Sequence, residues 1–155
     1  ETMSLASGTN PIVTGIRGND LEVTPNGRYL LAAGQGYPLK VYDIATRALV
    51  TSFTGAGSRE AVAVGADGAL LIADWAGYVR RLAINDNGAV FDTGERRAMP
   101  GTNTRNVFLA PDGRTAVAIA PSTDSFHSLS VVGMKSVGSR SLPAGSAPTS
   151  DHSTW

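Results

Sequence analysis

The sequence predicts an all-β fold assembled from four-stranded antiparallel sheets, and three observations carry that expectation. A strand–turn–strand unit recurs three times along the 155 residues. Each unit hinges on a glycine turn: Pro25-Asn26-Gly27, Ala66-Asp67-Gly68 and Pro111-Asp112-Gly113. No segment carries a sustained apolar period of 3.6 residues with capping residues, so no helix is assigned.

The first unit shows the whole pattern. An inner strand is expected near residues 20–24, a second near 28–33, a third near 39–44 and an outer one near 48–53. Asn-Gly and Asp-Gly suit tight hairpins, because the turn needs positive φ and these residues tolerate it. The second strands, Tyr29-Leu30-Leu31-Ala32-Ala33 and Leu70-Leu71-Ile72-Ala73, are almost continuously apolar, as strands covered on both faces are. The third strands alternate better: Val79, Leu82 and Ile84 stand among arginines.

The turn glycines set the period. Gly27 to Gly68 spans 41 positions and Gly68 to Gly113 spans 45, the repeat length of β-propeller blades. The expected blades cover residues 20–53, 60–99 and 106–142. Residues 1–19 read as the end of a preceding blade and its connection. Residues 143–155, with Pro143 and Pro148, read as a connection toward a next inner strand.

Composition narrows the partners. Thirteen basic residues balance thirteen acidic ones, so no global field draws nucleic acid or an anionic membrane, and neither is expected as a partner. Without cysteine, and with two histidines, disulfides, thiolate chemistry and a protein-only zinc site are not expected. No apolar run reaches the roughly 18 residues of a membrane span. The charge-poor, Gly/Ser/Thr-rich composition suits an exported protein, while the compartment stays open. No cofactor motif is present: the chain has no P-loop, dinucleotide fingerprint or nucleophile elbow.

The run from Leu39 to Gly68, LKVYDIATRALVTSFTGAGSREAVAVGADG, resembles WD40 repeats and the related bacterial YVTN propeller repeats. Val41-Tyr42-Asp43 stands where those families place V-x-V-[WY]-D, and Pro111-Asp112-Gly113 matches their P-D-G hairpin. The likeness covers about residues 20–142. Gly55-Ala56-Gly57-Ser58 replaces the WD40 Gly-His, and Tyr-Asp replaces Trp-Asp, which favours the YVTN side. The run from Ile84 to Gly113 is also similar to lactonase-type propellers. Propellers close with about four to eight blades. Three therefore imply further blades, from the same parent chain or from other copies, and the repeat frame favours the parent chain.

In such propellers ligands sit at the channel mouth, which directs attention to two sets of loops. Those leading into the inner strands carry Arg17 and Asp20, Arg59 and Glu60, and Arg105 and Asn106. Three arginines around one axis would form a fork-donor cluster for a carboxylate or phosphate, although exposed arginines are commonly just solvated and Asp20 and Glu60 neutralise them locally. The loops between second and third strands carry Tyr37, Asp74 and Trp75, an aromatic contact surface for a peptide or sugar or else inter-blade packing.

Other clusters have plainer readings. Arg80-Arg81 and Arg96-Arg97 are surface ion-pairing groups, Asn85-Asp86-Asn87-Gly88 is a hairpin turn, and Ser150-Asp151-His152-Ser153 is a tail and not a triad. With no catalytic constellation, the expectation is a non-catalytic module presenting a rigid loop surface to a protein or glycan. The alternative is part of a propeller hydrolase or lactonase acting on an anionic or sugar-derived substrate.

Overall fold

The computed structural model describes residues 12, 15–17, 20–55, 59–100, 104, 106–120, 123 and 125–141, with the backbone alone at 59 and 60. Twelve strands follow in chain order. The first four are β1 (Asp20–Val23), β2 (Tyr29–Ala33), β3 (Leu39–Asp43) and β4 (Leu49–Phe53). Next come β5 (Arg59–Val64), β6 (Ala69–Asp74), β7 (Tyr78–Ile84) and β8 (Val90–Ala98). The last are β9 (Asn106–Leu109), β10 (Thr115–Ala120), β11 (Ser125–Ser130) and β12 (Lys135–Ser141). A 3-10 turn, Val132–Met134, precedes β12.

These strands form three antiparallel sheets, each a meander in chain order: β1–β4, β5–β8 and β9–β12. The all-β expectation holds, and the three sheets are the expected blades. They do not close into a barrel. Among the described residues no helix is long and apolar enough to cross a membrane.

Register explains why the second strands are apolar on both sides. Side chains alternate between faces, so residues paired across strands share a face. In blade 2, Val62 pairs with Ile72 and Val64 with Leu70. That face packs on Tyr29, Leu31, Leu39 and Val41 of blade 1. The opposite face carries Ala63, Leu71, Ala73 and Val79, and it packs on Val107, Ala116, Ala118 and Leu129 of blade 3. Strand β6 is therefore buried along its entire length.

Polar ties join the blades as well. The Asp20 carboxylate accepts the Val62 backbone N–H at 3.0 Å, linking β1 to β5. The Tyr29 hydroxyl and the Arg28 guanidinium both donate to the Asp86 carbonyl at 2.8 Å. Asp86 lies in the expected hairpin turn, where Gly88 N–H donates to the Asn85 carbonyl at 2.9 Å. Bulges recur between the third and fourth strands of all three blades, at Val41/Tyr42, Arg80/Leu82 and Ser128/Leu129. Each bulge adds local twist to the outer edge.

Two turn glycines test this arrangement. Both have positive φ, Gly68 at +79° and Gly88 at +81°. A Cβ at Gly68 meets open space, whereas one at Gly88 would stand 2.9 Å from the Tyr29 ring. That ring is 2 % exposed and cannot give way. Gly68→Ala should therefore cost about 1 kcal/mol, from backbone conformation alone. Gly88→Ala should cost more by at least about 1 kcal/mol of overpacking. Urea unfolding of both variants checks the order, and equal midpoints would contradict the Tyr29 contact.

Candidate channel mouth

Antiparallel meanders place the start of each inner strand, the link from second to third strand and the end of each outer strand at one end of the blade. The connection from an outer strand to the next inner strand then keeps that end common to neighbouring blades. Among the described residues, Asp20, Tyr37, Asp74, Trp75 and Asn106 accordingly fall at this end.

Asp74 is the last residue of β6, and its side chain is fully buried. Its carboxylate accepts the Tyr78 N–H at 2.9 Å and the Arg80 Nε–H at 2.8 Å. Arg80 also lies 4.0 Å from Asp92. The guanidinium carbons of Arg80 and Arg96 sit 5.5 and 5.2 Å from the Tyr78 ring centre, within cation–π range. Asp74 thus points inward and anchors the turn at 75–77, instead of offering its carboxylate to a ligand. The turn is tied again where Met99 N–H donates to the Gly77 carbonyl at 2.7 Å. Trp75 rides on this anchored turn and is 38 % exposed. Tyr37 lies half-buried on the corresponding turn of blade 1, with its N–H on the Gly34 carbonyl.

The inner strands converge on a cleft of about 200 Å³ whose walls include Asp20, Glu22, Val62, Val107 and Phe108. Burial, followed by the Asp20 charge, pushes the Glu22 carboxyl above the usual carboxylate range. Glu22 was not among the expected site residues. Its signal in the sequence is the spacing of two carboxylates two apart on one strand, which puts both on one face.

The arginine cluster is not brought together by what is described. Arg17 is exposed. Arg59 and Glu60 belong to β5, with a bulge between Arg59 and Ala61, and their side chains lie outside the described set. Arg105 lies outside it too, as do residues 150–153. Asn106 opens β9 opposite Ile119, the register place that Asp20 holds opposite Ala33 in blade 1.

A second polar group at the same end escaped the sequence analysis. The Ser125 hydroxyl lies 2.9 Å from His127 Nε2 and 2.6 Å from the Thr123 hydroxyl. Thr123 in turn donates to the Ala120 carbonyl at 3.2 Å. Ser125 and His127 are each 7 % exposed, on the face of β11 that carries Leu129 into the core between blades 2 and 3. Burial pushes the His127 imidazole below its ordinary pKa of 6.5.

No protein-family model matches the chain, and no curated protein matches it. Solved structures do. A functionally unknown protein from Desulfotomaculum acetoxidans DSM 771 superposes with a TM-score of 0.72 at 20% identity, over 80% of this chain and 42% of that one. Kuenenia stuttgartiensis hydrazine synthase gives 0.68 at 18% identity, over 88% and 39%. A mitotic checkpoint complex gives 0.66 at 10% identity, over 77% and 37%. The chain therefore spans about two fifths of the length of these neighbours. At such identities the likeness shows the fold alone, and it supports a β-propeller-like one.

Two expected outcomes follow from the mouth. Asp74→Ala removes the buried acceptor of Arg80 and of the Tyr78 N–H, and should destabilise by about 3 kcal/mol; an unchanged urea midpoint would show that the turn is held otherwise. His127 favours its neutral form when folded, so the unfolded chain takes up the proton first. Stability is then fully present above about pH 6.5 and falls as pH drops through the lowered folded value. Glu22 has the opposite sign, gaining stability as pH falls through its raised value. Urea midpoints measured from pH 8 to pH 5 should therefore decline in the wild type and decline less in His127→Gln.

Proposed function

We propose that this chain is a non-catalytic β-propeller module of WD40-like, YVTN-type repeats, whose mouth loops present a rigid surface to a protein or a glycan. The supporting observation is the Asp74-anchored turn that holds Trp75 at the mouth. Its backbone is fixed by the Asp74 carboxylate on one side and by Met99 on the other. An aromatic group on such a turn loses little freedom on binding, and it combines a large apolar area with a polar N–H. Tyr37 extends the same surface on blade 1. Arg17, Arg59, Arg105 and Asn106 belong to this proposal as the polar rim.

A second reading, part of a propeller hydrolase or lactonase, draws its support from Glu22. A carboxyl held above its usual range beside Asp20 is the kind of group that serves as a general acid. The two readings separate on a peptide and glycan array combined with an aryl-ester and lactone hydrolysis assay. The binding module predicts array signals that fall about tenfold or more in Trp75→Ala and survive in Glu22→Gln. Signals untouched by Trp75→Ala and Tyr37→Ala would overturn it. Turnover abolished by Glu22→Gln would put the hydrolase in its place.

A further inference from the structure

Four hairpin turns of the chain are built alike. In each, a glycine N–H donates to the carbonyl three residues back: Gly27 to Thr24, Gly68 to Gly65, Gly88 to Asn85 and Gly113 to Ala110, at 2.8 or 2.9 Å. The residue before each glycine is Asn or Asp, and its side-chain oxygen accepts the backbone N–H two residues further on. The distances are 3.0 Å at Asn26, 3.0 Å at Asp67, 3.2 Å at Asn87 and 2.8 Å at Asp112. Asparagine and aspartate thus fill one structural place.

Asparagine brings a reactivity of its own to that place. Once hydroxide takes the proton of the following glycine N–H, the nitrogen attacks the asparagine side-chain carbon, and glycine has no side chain to obstruct the approach. The new N–Cγ bond closes a five-membered imide, and ammonia leaves. Water then opens the imide, at Cγ to give aspartate or at the main-chain carbonyl to give isoaspartate. One water is consumed and one ammonia released, with no change of oxidation state.

The two Asn-Gly turns differ in what lies over the glycine. Gly27 is exposed, and a Cβ there would meet nothing within 4 Å. Gly88 is buried, and a Cβ there would stand 2.8 Å from Val50 and 2.9 Å from the Tyr29 ring. The neighbouring Asp86 carbonyl is tied to blade 1 by the Tyr29 hydroxyl and the Arg28 guanidinium. Either turn must open before its glycine nitrogen can react. At Gly27 that opening frees a surface turn, whereas at Gly88 it must also lift Tyr29 and Val50 away.

We infer that Asn26 is a site of covalent modification, converting to aspartate and isoaspartate through a succinimide, while the packing of blade 1 on blade 2 protects Asn87. The inference does not depend on the mouth surface. Aspartate at position 26 suits the turn, as Asp67 and Asp112 suit theirs. It also adds a third carboxylate to a cleft of about 220 Å³ at the end opposite the mouth, beside Asp67 and Asp86. Isoaspartate lengthens the main chain by one carbon ahead of Gly27 and displaces the N–H that closes the turn on Thr24.

Peptide mass spectrometry of the full chain, incubated in mildly alkaline buffer made with heavy-oxygen water, tests this. Asn26 should gain one heavy oxygen and convert at least about tenfold faster than Asn87, since an opening that costs about 1.4 kcal/mol already slows a reaction about tenfold. In urea above the unfolding transition the two sites should react at similar rates, because the shield over Gly88 is then gone. An Asn26 that stays intact, equal rates in the folded chain, or a difference that persists in urea would overturn the inference.

Discussion

Strand β6 is buried on both faces from end to end, and that double burial is the constraint on which the rest of the structure depends. A strand gripped between two sheets can tolerate no polar side chain on either face unless the chain also supplies its partner. The two grips differ. Toward blade 1 they are bulky, with Tyr29, Leu31, Leu39, Leu70, Ile72 and Leu82. Toward blade 3 they are rich in small groups, Ala61, Ala63, Ala69, Ala73, Ala116 and Ala118 among them, and Met99 and Met134 fill the irregular space.

Polar chemistry is pushed to the blade ends by the same constraint. Asp74 is the last residue of β6, and its charge is admitted there because Arg80 and the Tyr78 N–H meet it. Ser125 and His127 enter the second junction at its mouth end in the same way, with Thr123 closing their chain of hydrogen bonds. The turn that carries Trp75 is fixed because the groups beneath it are structural.

The blades were legible because their signals are local. Turn glycines at a propeller-sized spacing and doubly apolar second strands carry strand order without knowledge of any distant contact. The site was legible only as a place: Tyr37, Asp74 and Trp75 do lie on the expected turns. The direction of Asp74 was not, since it depends on Arg80 reaching back across the turn. Neither was the Ser125–His127 pair, because period-two spacing on a strand implies a shared face without saying that the face is buried between blades. Glu22 was missed for a related reason. Its raised carboxyl depends on three inner strands converging, and they lie far apart in sequence.

The arginine pairs of blade 2 show how ladder chemistry limits what the mouth can do. Arg80 stands directly opposite Arg96 across β7 and β8, a like-charge pairing that destabilises a sheet when left alone. The structure offsets it with Asp74 and Asp92 around Arg80, and with the Tyr78 ring beside both guanidinium groups. The neighbouring Arg81 is held by Glu95 at 2.6 Å. Three of the carboxylates on blade 2 are thereby committed to its own arginines. On the inner strand of blade 1, Asp20 is likewise committed, tying β1 to β5. Among its described residues, blade 2 carries one large aromatic side chain, Trp75, partly exposed on a fixed turn at the mouth end.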